Sequence, residues 1–189
     1  MIQNLWPTPF LHSKIDDNMS ERMIETILQE YNLTDPPADF GSIDILDNPN
    51  RVIQEFKNTI VYPAFNSFLK QTLNKQISDW KASRVKGWLT GTGNDYRLSH
   101  HNHSGAQLSA VFYFLCDPCD RGGQIVFTDP RQNANRGYDI VFQEWFKALE
   151  IVPTSGDLVI FPSYLYHFVT TYQSNIRIAL PVDLFLFAS

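Results

Sequence analysis

Apolar residues between positions 18 and 73 recur with the 3.6-residue period of amphipathic helices. A first helix is predicted after Asn18, which forms a capping-box pattern with Glu21, and its apolar stripe consists of Met23, Ile24, Ile27, Leu28 and Tyr31. A longer helix is predicted from Asn48, with a kink at Pro63 and an apolar face made of Val52, Ile53, Phe56, Ile60, Phe65, Phe68, Leu69 and Leu73. Both helices are expected to pack their aromatic side chains against a sheet.

A different pattern begins after residue 82, where short apolar runs of strand length alternate with turn residues. Residues 108–115 are rich in Val and aromatic side chains, and they predict a strand that is buried on both faces. An edge strand is predicted for residues 5–15, because Pro7 and Pro9 cannot donate hydrogen bonds to a ladder. Further strands are predicted at residues 83–90, 122–127, 158–161 and 176–187. The pattern indicates a mainly β protein with flanking helices.

Composition narrows the class of protein. With 189 residues, of which 43% are hydrophobic and 19% charged, the chain has enough apolar material for one globular domain over residues 1–189. Its net charge of -5 indicates no basic surface for a nucleic-acid partner. No apolar run approaches the ~20 residues of a membrane span, and no secretory signal is recognisable at the N-terminus. We therefore expect a cytoplasmic protein without membrane contact.

Three histidines and one arginine stand at the ends of predicted strands. His101 and His103 alternate along an extended segment, so both imidazoles can point to the same face. His167 lies on another predicted strand, and Arg177 follows ten residues later across a predicted turn at residues 173–175. Neutral imidazole binds Fe, Zn, Cu and Ni, while the guanidinium fork binds carboxylates in a bidentate manner. This set predicts a metal site beside a site for an acidic co-substrate.

The arrangement resembles the Fe(II)- and 2-oxoglutarate-dependent oxygenases, in particular their prolyl-hydroxylase-like branch and the small members with an H-x-H motif followed by L-S-x-V-x-Y. The motif residues are His101-Asn102-His103, then LSAVFY at 108–113, GGQIVF at 122–127, GDLVIFP at 156–162, His167 and Arg177. The resemblance implies a double-stranded β-helix (jelly-roll, cupin-like) core over residues 83–187. Residues 1–82 would then form a helical N-terminal part that supports one sheet.

The resemblance also implies a ligand set for Fe(II), with one departure from the family pattern. His101, His103 and His167 would bind the metal, although most relatives have Asp or Glu at the position of His103. An all-imidazole site changes the charge balance around the metal. Asp129, which follows the predicted strand at 122–127, is the alternative ligand that would restore a carboxylate.

For 2-oxoglutarate, the resemblance implies that Arg177 binds the distal carboxylate. A second departure concerns Ala179, because many relatives have a hydroxyl side chain at this position, beside the co-substrate. Tyr113, Tyr96 or Ser109 could supply the missing hydrogen bond. With O2, the predicted cofactor set is Fe(II) and 2-oxoglutarate.

The implied activity is hydroxylation of an unidentified amino-acid-like or protein substrate, with release of succinate and CO2. The polar segment 129–143 is the expected place for recognition of a small-molecule or peptide substrate. The sequence leaves a homodimer open. A second hypothesis is a cupin-like, three-histidine metal dioxygenase or a small-molecule-binding protein that does not use 2-oxoglutarate. A third is a structural β-domain without a metal.

Overall fold

The computed structural model describes residues 7–31, 33, 43–90, 95–116, 121–131, 148–173 and 177–188. Within these residues, the helices are α1 (Asp17–Glu30), α2 (Arg51–Phe56) and α3 (Tyr62–Leu73). The strands are β1 (Leu11–Lys14), β2 (Ala82–Gly87), β3 (Tyr96–His101), β4 (Leu108–Leu115), β5 (Ile125–Phe127), β6 (Leu149–Ile151), β7 (Asp157–Pro162), β8 (His167–Tyr172) and β9 (Ile178–Phe187). The predicted order of one N-terminal strand, then helices, then the remaining strands is observed.

The strands form two antiparallel sheets that face each other as a double-stranded β-helix. One sheet has five strands in the order β1-β7-β4-β9-β2, and the other has four in the order β3-β8-β5-β6. Apart from β5 and β6, neighbouring strands are not consecutive in the sequence, because the chain passes repeatedly between the two sheets, as in jelly rolls. This confirms the predicted fold class.

Side chains of the five-stranded sheet alternate between two cores. On β4, Phe112 and Phe114 point to the helices, whereas Val111 and Tyr113 point to the space between the sheets. The helix-side core also contains Phe56 of α2, whose ring meets Phe112 and Phe114 edge-on at centroid distances of 5.0 and 5.3 Å. The helices therefore cover one face of this sheet, which leaves its other face to line the interior.

The helix boundaries differ from the prediction at both N-termini. Asp16, not Asn18, caps α1, because its carboxylate accepts the hydrogen bond of the Met19 amide and the helix begins one residue before Asn18. The long helix begins after Asn50 and continues through a π-helical turn at Lys57–Val61 into α3. The irregularity predicted at Pro63 takes the form of this π-helical turn, which lies immediately upstream of the proline.

Several predicted strands are shorter than their apolar patterns. The predicted edge position of the first strand is confirmed, but β1 covers only Leu11–Lys14 and pairs with β7. The strand predicted at 122–127 covers Ile125–Phe127, because Gly122 and Gly123 have positive φ angles of 76° and 74°. Most of segment 129–143, much of the turn at 173–175 and residues 1–6 lie outside the described residues. No helix among the described residues is long and apolar enough to span a membrane.

Candidate metal centre

The three predicted histidines lie together at one end of the space between the sheets. His101 ends β3 and pairs directly with His167, which begins β8, and His103 follows two residues after β3. The ring centroids are 4.4 Å apart for His101 and His167 and 5.1 Å apart for His103 and His167. One ring nitrogen of each histidine lies within 4.8 Å of those of the other two. The strand pairing thus explains how residues 64 or more positions apart meet.

Each histidine has an acceptor at Nδ1. The Ser99 carbonyl lies 2.7 Å from Nδ1 of His101, and the Leu165 carbonyl lies 3.0 Å from Nδ1 of His167. A carbonyl oxygen only accepts, so the hydrogen of each neutral ring is on Nδ1 and the lone pair is on Nε2. Nδ1 of His103 lies 2.6 Å from Oδ1 of Asp183, so here a carboxylate oxygen accepts the Nδ1 hydrogen. All three rings therefore present Nε2 as a free donor atom for a cation.

Burial keeps the rings of His101 and His167 neutral. His167 is 3% exposed, and its burial lowers the pKa from 6.5 to about 3. Burial also lowers the pKa of His101. Desolvation disfavours the charged imidazolium, and the neighbouring imidazoles add to this effect. At neutral pH these two rings thus present a lone pair at Nε2, which is the protonation state that a metal ion requires.

Asp129, the alternative ligand, lies outside this cluster. Its carboxylate accepts hydrogen bonds from Nε and Nη2 of Arg131 at 2.9 and 2.5 Å, and this contact lowers the pKa of Asp129. Among the described residues, the group of side chains that could hold a metal consists of His101, His103 and His167. The structure therefore does not support the prediction in which Asp129 completes the site, because a turn orients it toward Arg131.

Arg177 lies in the same cavity as the histidines and has an incomplete set of partners. Its side chain is 3% exposed and lies over the rings of Tyr113 and Tyr172, at 4.9 and 5.3 Å from their centroids. Nη1 donates to the Gly123 carbonyl at 2.7 Å, but Nε has no hydrogen-bond partner. No carboxylate of the described residues forms an ion pair with this guanidinium. A buried, uncompensated cation is costly, so the arrangement fits a bound anion.

Tyr113 and Tyr96 also line the cavity that contains Arg177 and the three histidines. The whole cavity has a volume of about 480 Å³. Burial raises the pKa of Tyr113 to about 12 and also raises the pKa of Tyr96, so both phenols stay protonated and can donate hydrogen bonds. Ala179 lines the same wall with its methyl group. Both tyrosines therefore line the cavity together with Ala179, and Tyr113 lies opposite Ala179 on the neighbouring strand.

Ser109 does not line the cavity, which differs from the prediction. Its hydroxyl is fully buried and donates to Oδ1 of Asp183 at 2.7 Å, and it also bonds to the Ser163 hydroxyl at 2.8 Å. Cross-strand pairing on the five-stranded sheet causes this, because Ser109 lies opposite Asp183 on β9. The hydroxyl is thus held beside the partner of His103 and away from Arg177.

Asp183 is the residue that the sequence reasoning missed. It lines the cavity and contacts His103, although no motif singled it out. The alternation along β9 gave a signal, because residues an even number of positions after Arg177 lie on the same face of the strand as Arg177. Ala179, Pro181 and Asp183 all line the cavity, so this pattern would have placed the carboxylate there.

The fold and this cavity define the class of the protein: a double-stranded β-helix that brings three imidazoles and a buried guanidinium into one cavity. A family match makes the class specific. The family is described as "Putative 2OG-Fe(II) oxygenase", and its model matches residues 86–183, just over half of the 189-residue chain. The chain belongs to this family and is a 2-oxoglutarate-dependent dioxygenase, an oxidoreductase that uses Fe(II), 2-oxoglutarate and O2.

Solved structures of low sequence identity share the fold. A prolyl-4-hydroxylase from Pseudomonas putida aligns with a TM-score of 0.61 at 14% identity, over 95% of this chain and 86% of that one. The alpha ketoglutarate dependent epimerase SnoN from nogalamycin biosynthesis aligns with a TM-score of 0.62 at 10% identity, over 96% and 77%. A prolyl hydroxylase from Trichoplax adhaerens, in complex with a hypoxia inducible factor peptide fragment, aligns with a TM-score of 0.60 at 14% identity, over 93% and 83%. No curated protein matches the chain in sequence.

Proposed function

We propose that His101, His103 and His167 bind Fe(II) through their Nε2 atoms and that Arg177 binds the distal carboxylate of 2-oxoglutarate. The enzyme would then hydroxylate a C–H bond of an amino-acid-like or peptide substrate. The observation that carries this proposal is the combination of three converging imidazoles with a buried guanidinium that forms no ion pair with a carboxylate of the described residues, all in one cavity. The lone pairs suit a cation and the guanidinium suits a dianionic co-substrate.

The buried guanidinium argues against the rival hypothesis of a three-histidine dioxygenase that does not use 2-oxoglutarate. Such an enzyme would have no co-substrate carboxylate for Arg177, which contacts two aromatic rings and one carbonyl and forms no ion pair with the described carboxylates. The third hypothesis, a structural β-domain, leaves both the guanidinium and the orientation of the three imidazoles without an explanation. We therefore prefer the use of 2-oxoglutarate by this site.

In the proposed complex, each part of the cavity has a separate task. Arg177 and the phenols of Tyr113 and Tyr96 would fix the orientation of 2-oxoglutarate, which converts a diffusing reactant into a positioned one. The aromatic walls would exclude water from the reacting centre. When bound, Fe(II) supplies the activation of O2 that is coupled to decarboxylation of 2-oxoglutarate to succinate and CO2 and to oxidation of the substrate.

We assign the substrate to the part of the cavity beyond the histidines, away from Arg177. Trp88, Phe185 and Lys86 line this part together with Ser104. Such a wall can pack against an apolar side chain and still hydrogen-bond to a backbone or a carboxylate, which suits an amino-acid-like group. The Trichoplax adhaerens relative in complex with a peptide gives this substrate class further support. We also propose a cytoplasmic location and no nucleic-acid partner, in line with the net charge of -5.

Anaerobic titration tests the proposal. We expect Fe(II) and 2-oxoglutarate together to give a metal-to-ligand charge-transfer band with the wild-type protein and no band with His167→Ala. For Arg177→Ala, we expect a roughly 30-fold or greater rise in the 2-oxoglutarate dissociation constant, because loss of one partner of a buried charge pair costs about 2–5 kcal/mol.

Two matched controls accompany these variants. His100→Ala removes an exposed imidazole that stacks on Tyr166, and Arg84→Ala removes an exposed guanidinium that pairs with Asp44. Both should leave the band unchanged. If wild-type protein with bound Fe(II) gives no band when 2-oxoglutarate is added, the rival hypothesis replaces this one.

A further inference from the structure

We propose that Asp183 is a positioning residue for the metal: it orients His103 and supplies the negative charge that the carboxylate of a two-histidine, one-carboxylate site would provide. This inference rests on the proposed function, since it requires that His103 binds Fe(II). It explains how a cavity with three neutral ligands can still match a divalent cation. In this arrangement the carboxylate does not bind the metal itself but contacts the imidazole of His103, which would bind it.

The contact between Asp183 and His103 carries this inference. Oδ1 of Asp183 lies 2.6 Å from Nδ1 of His103, and the two side chains are only 10% and 6% exposed. A buried carboxylate is costly unless it is paired and hydrogen-bonded. Neighbouring positions on the same face of β9 are occupied by Ala179, Pro181 and Phe185. Packing alone would thus be satisfied by an apolar side chain, so the carboxylate needs a different explanation.

A chain of hydrogen bonds fixes the position of this carboxylate. Ser109 on β4 donates to the same Oδ1 at 2.7 Å, and its hydroxyl bonds to Ser163, which follows β7. The Ser163 carbonyl in turn accepts the backbone N–H of His103 at 3.0 Å. The same serine pair therefore holds both the backbone of His103 and the carboxylate of Asp183. This is the geometry expected where the direction of Nε2 must be set accurately.

The three histidines do not receive equal support. His101 and His167 donate their Nδ1 hydrogens to the neutral carbonyls of Ser99 and Leu165. Of the three, only His103 donates to a carboxylate, and it occupies the position where the resemblance implies an acidic ligand. A carboxylate acceptor raises the electron density at the opposite ring nitrogen and strengthens it as a ligand. The negative charge is therefore directed to the one ligand position where the family pattern expects it.

The first test replaces the carboxylate with its isosteric amide. We expect Asp183→Asn to raise the Fe(II) dissociation constant about 10–100-fold, the range found for partners of metal ligands, and to shift the Fe(III)/Fe(II) potential to a more positive value. The measurements are chelator competition with Fe(II) and redox titration of the iron-loaded protein. Asp157→Asn is the matched control, because Asp157 is equally buried in the same sheet but pairs with Lys14 and His12. It should change neither quantity.

The second test moves the carboxylate from position 183 to the ligand position 103. His103→Asp alone places two carboxylates side by side, and Asp183→Asn alone removes the one carboxylate among the described residues that contacts the three histidines, so both should bind Fe(II) weakly. The double variant has one carboxylate at the ligand position and should bind Fe(II) more tightly than either single variant. Losses that simply add in the double variant would contradict the inference.

The outcomes separate this inference from the proposed function. If His167→Ala binds Fe(II) as tightly as the wild type, the metal site itself is wrong. If His167→Ala loses Fe(II) but Asp183→Asn keeps the wild-type dissociation constant and potential, only the role of Asp183 is wrong. Should Asp183→Asn not fold, Ser109→Ala removes one hydrogen bond of the carboxylate and should raise the dissociation constant several-fold. An unchanged constant in that variant would overturn the inference.

Discussion

At the scale of single residues, the neighbour that accepts the Nδ1 hydrogen of each histidine leaves Nε2 directed into the cavity. Ser99 and Leu165 do this with backbone carbonyls, which any residue type could provide. The sequence could therefore predict which imidazoles meet, but it could not predict which nitrogen each one presents. The same limit applies to Ser109, whose expected contact with the co-substrate depended on a cross-strand neighbour, Asp183, that only the fold reveals.

Acid should destabilise the metal-free protein through His167. Its pKa is 6.5 as a free group and about 3 in the folded chain, so the unfolded chain binds more protons between these values. Stability is thus fully present above pH 6.5 and falls as the pH decreases toward 3. From pH 7 to pH 5 we expect a loss of about 2 kcal/mol from this group.

Urea unfolding in the presence of a chelator measures this effect. The control is His167→Gln, which keeps a neutral polar side chain but cannot be protonated in this range. Between pH 7 and pH 5, the free energy of unfolding of His167→Gln should fall about 2 kcal/mol less than that of the wild type. If the free energy of unfolding falls equally in the two proteins, burial does not keep His167 neutral.

At the scale of elements, the cavity depends on the alternation of side chains along β9 and on the turn before β5. Positions 179, 181, 183 and 185 of β9 line the cavity, and the alternate positions face the helices. This period could be read from the sequence. The contact at the turn before β5 could not be predicted. Gly122 and Gly123 indicate a bend, but they do not indicate that the Gly123 carbonyl accepts a hydrogen bond from Arg177.

Gly123→Ala should weaken the binding of 2-oxoglutarate. A methyl group at this position would collide with Nη1 of Arg177 and would lie 2.7 Å from Cδ2 of Tyr172. The residue also has a φ angle of 74°, which costs an L-residue roughly 1–2 kcal/mol. We expect lower stability together with a raised KM for 2-oxoglutarate, measured by thermal unfolding and by succinate formation.

Gly105→Ala separates these two effects. Gly105 also has a positive φ, of 87°, but a methyl group there meets only Phe185, at 4.0 Å. This variant should lose a similar amount of stability and keep the wild-type KM for 2-oxoglutarate. If both variants raise this KM equally, the position of the Gly123 backbone does not control Arg177.

At the scale of the whole molecule, the five-stranded sheet separates a structural core from a functional one. The helices cover one face, and the cavity opens on the other. The apolar periods of the sequence predicted both the helices and the buried strand at 108–115. The sequence did not predict the strand order, because pairing between distant strands such as β4 and β9 follows from the packing of the whole sheet.

Phe56→Ala should therefore reduce stability without changing the affinity for Fe(II). Phe56 is fully buried between α2 and the sheet, and loss of such a ring costs about 3–5 kcal/mol. By contrast, Phe127 packs against Phe161 and lies 5.4 Å from the ring of His167. Phe127→Ala should lower both stability and Fe(II) affinity. Chemical unfolding and chelator competition measure the two quantities, and a weakened Fe(II) site in folded Phe56→Ala would contradict the separation.

The most direct test of the central claim is a crystal structure of the protein grown without oxygen in the presence of Fe(II) and 2-oxoglutarate, with iron located by its anomalous signal. We expect one iron peak bonded to Nε2 of His101, His103 and His167, and a 2-oxoglutarate carboxylate on the Arg177 guanidinium. An iron peak away from these three atoms, or a co-substrate whose carboxylates do not reach Arg177, would contradict the account.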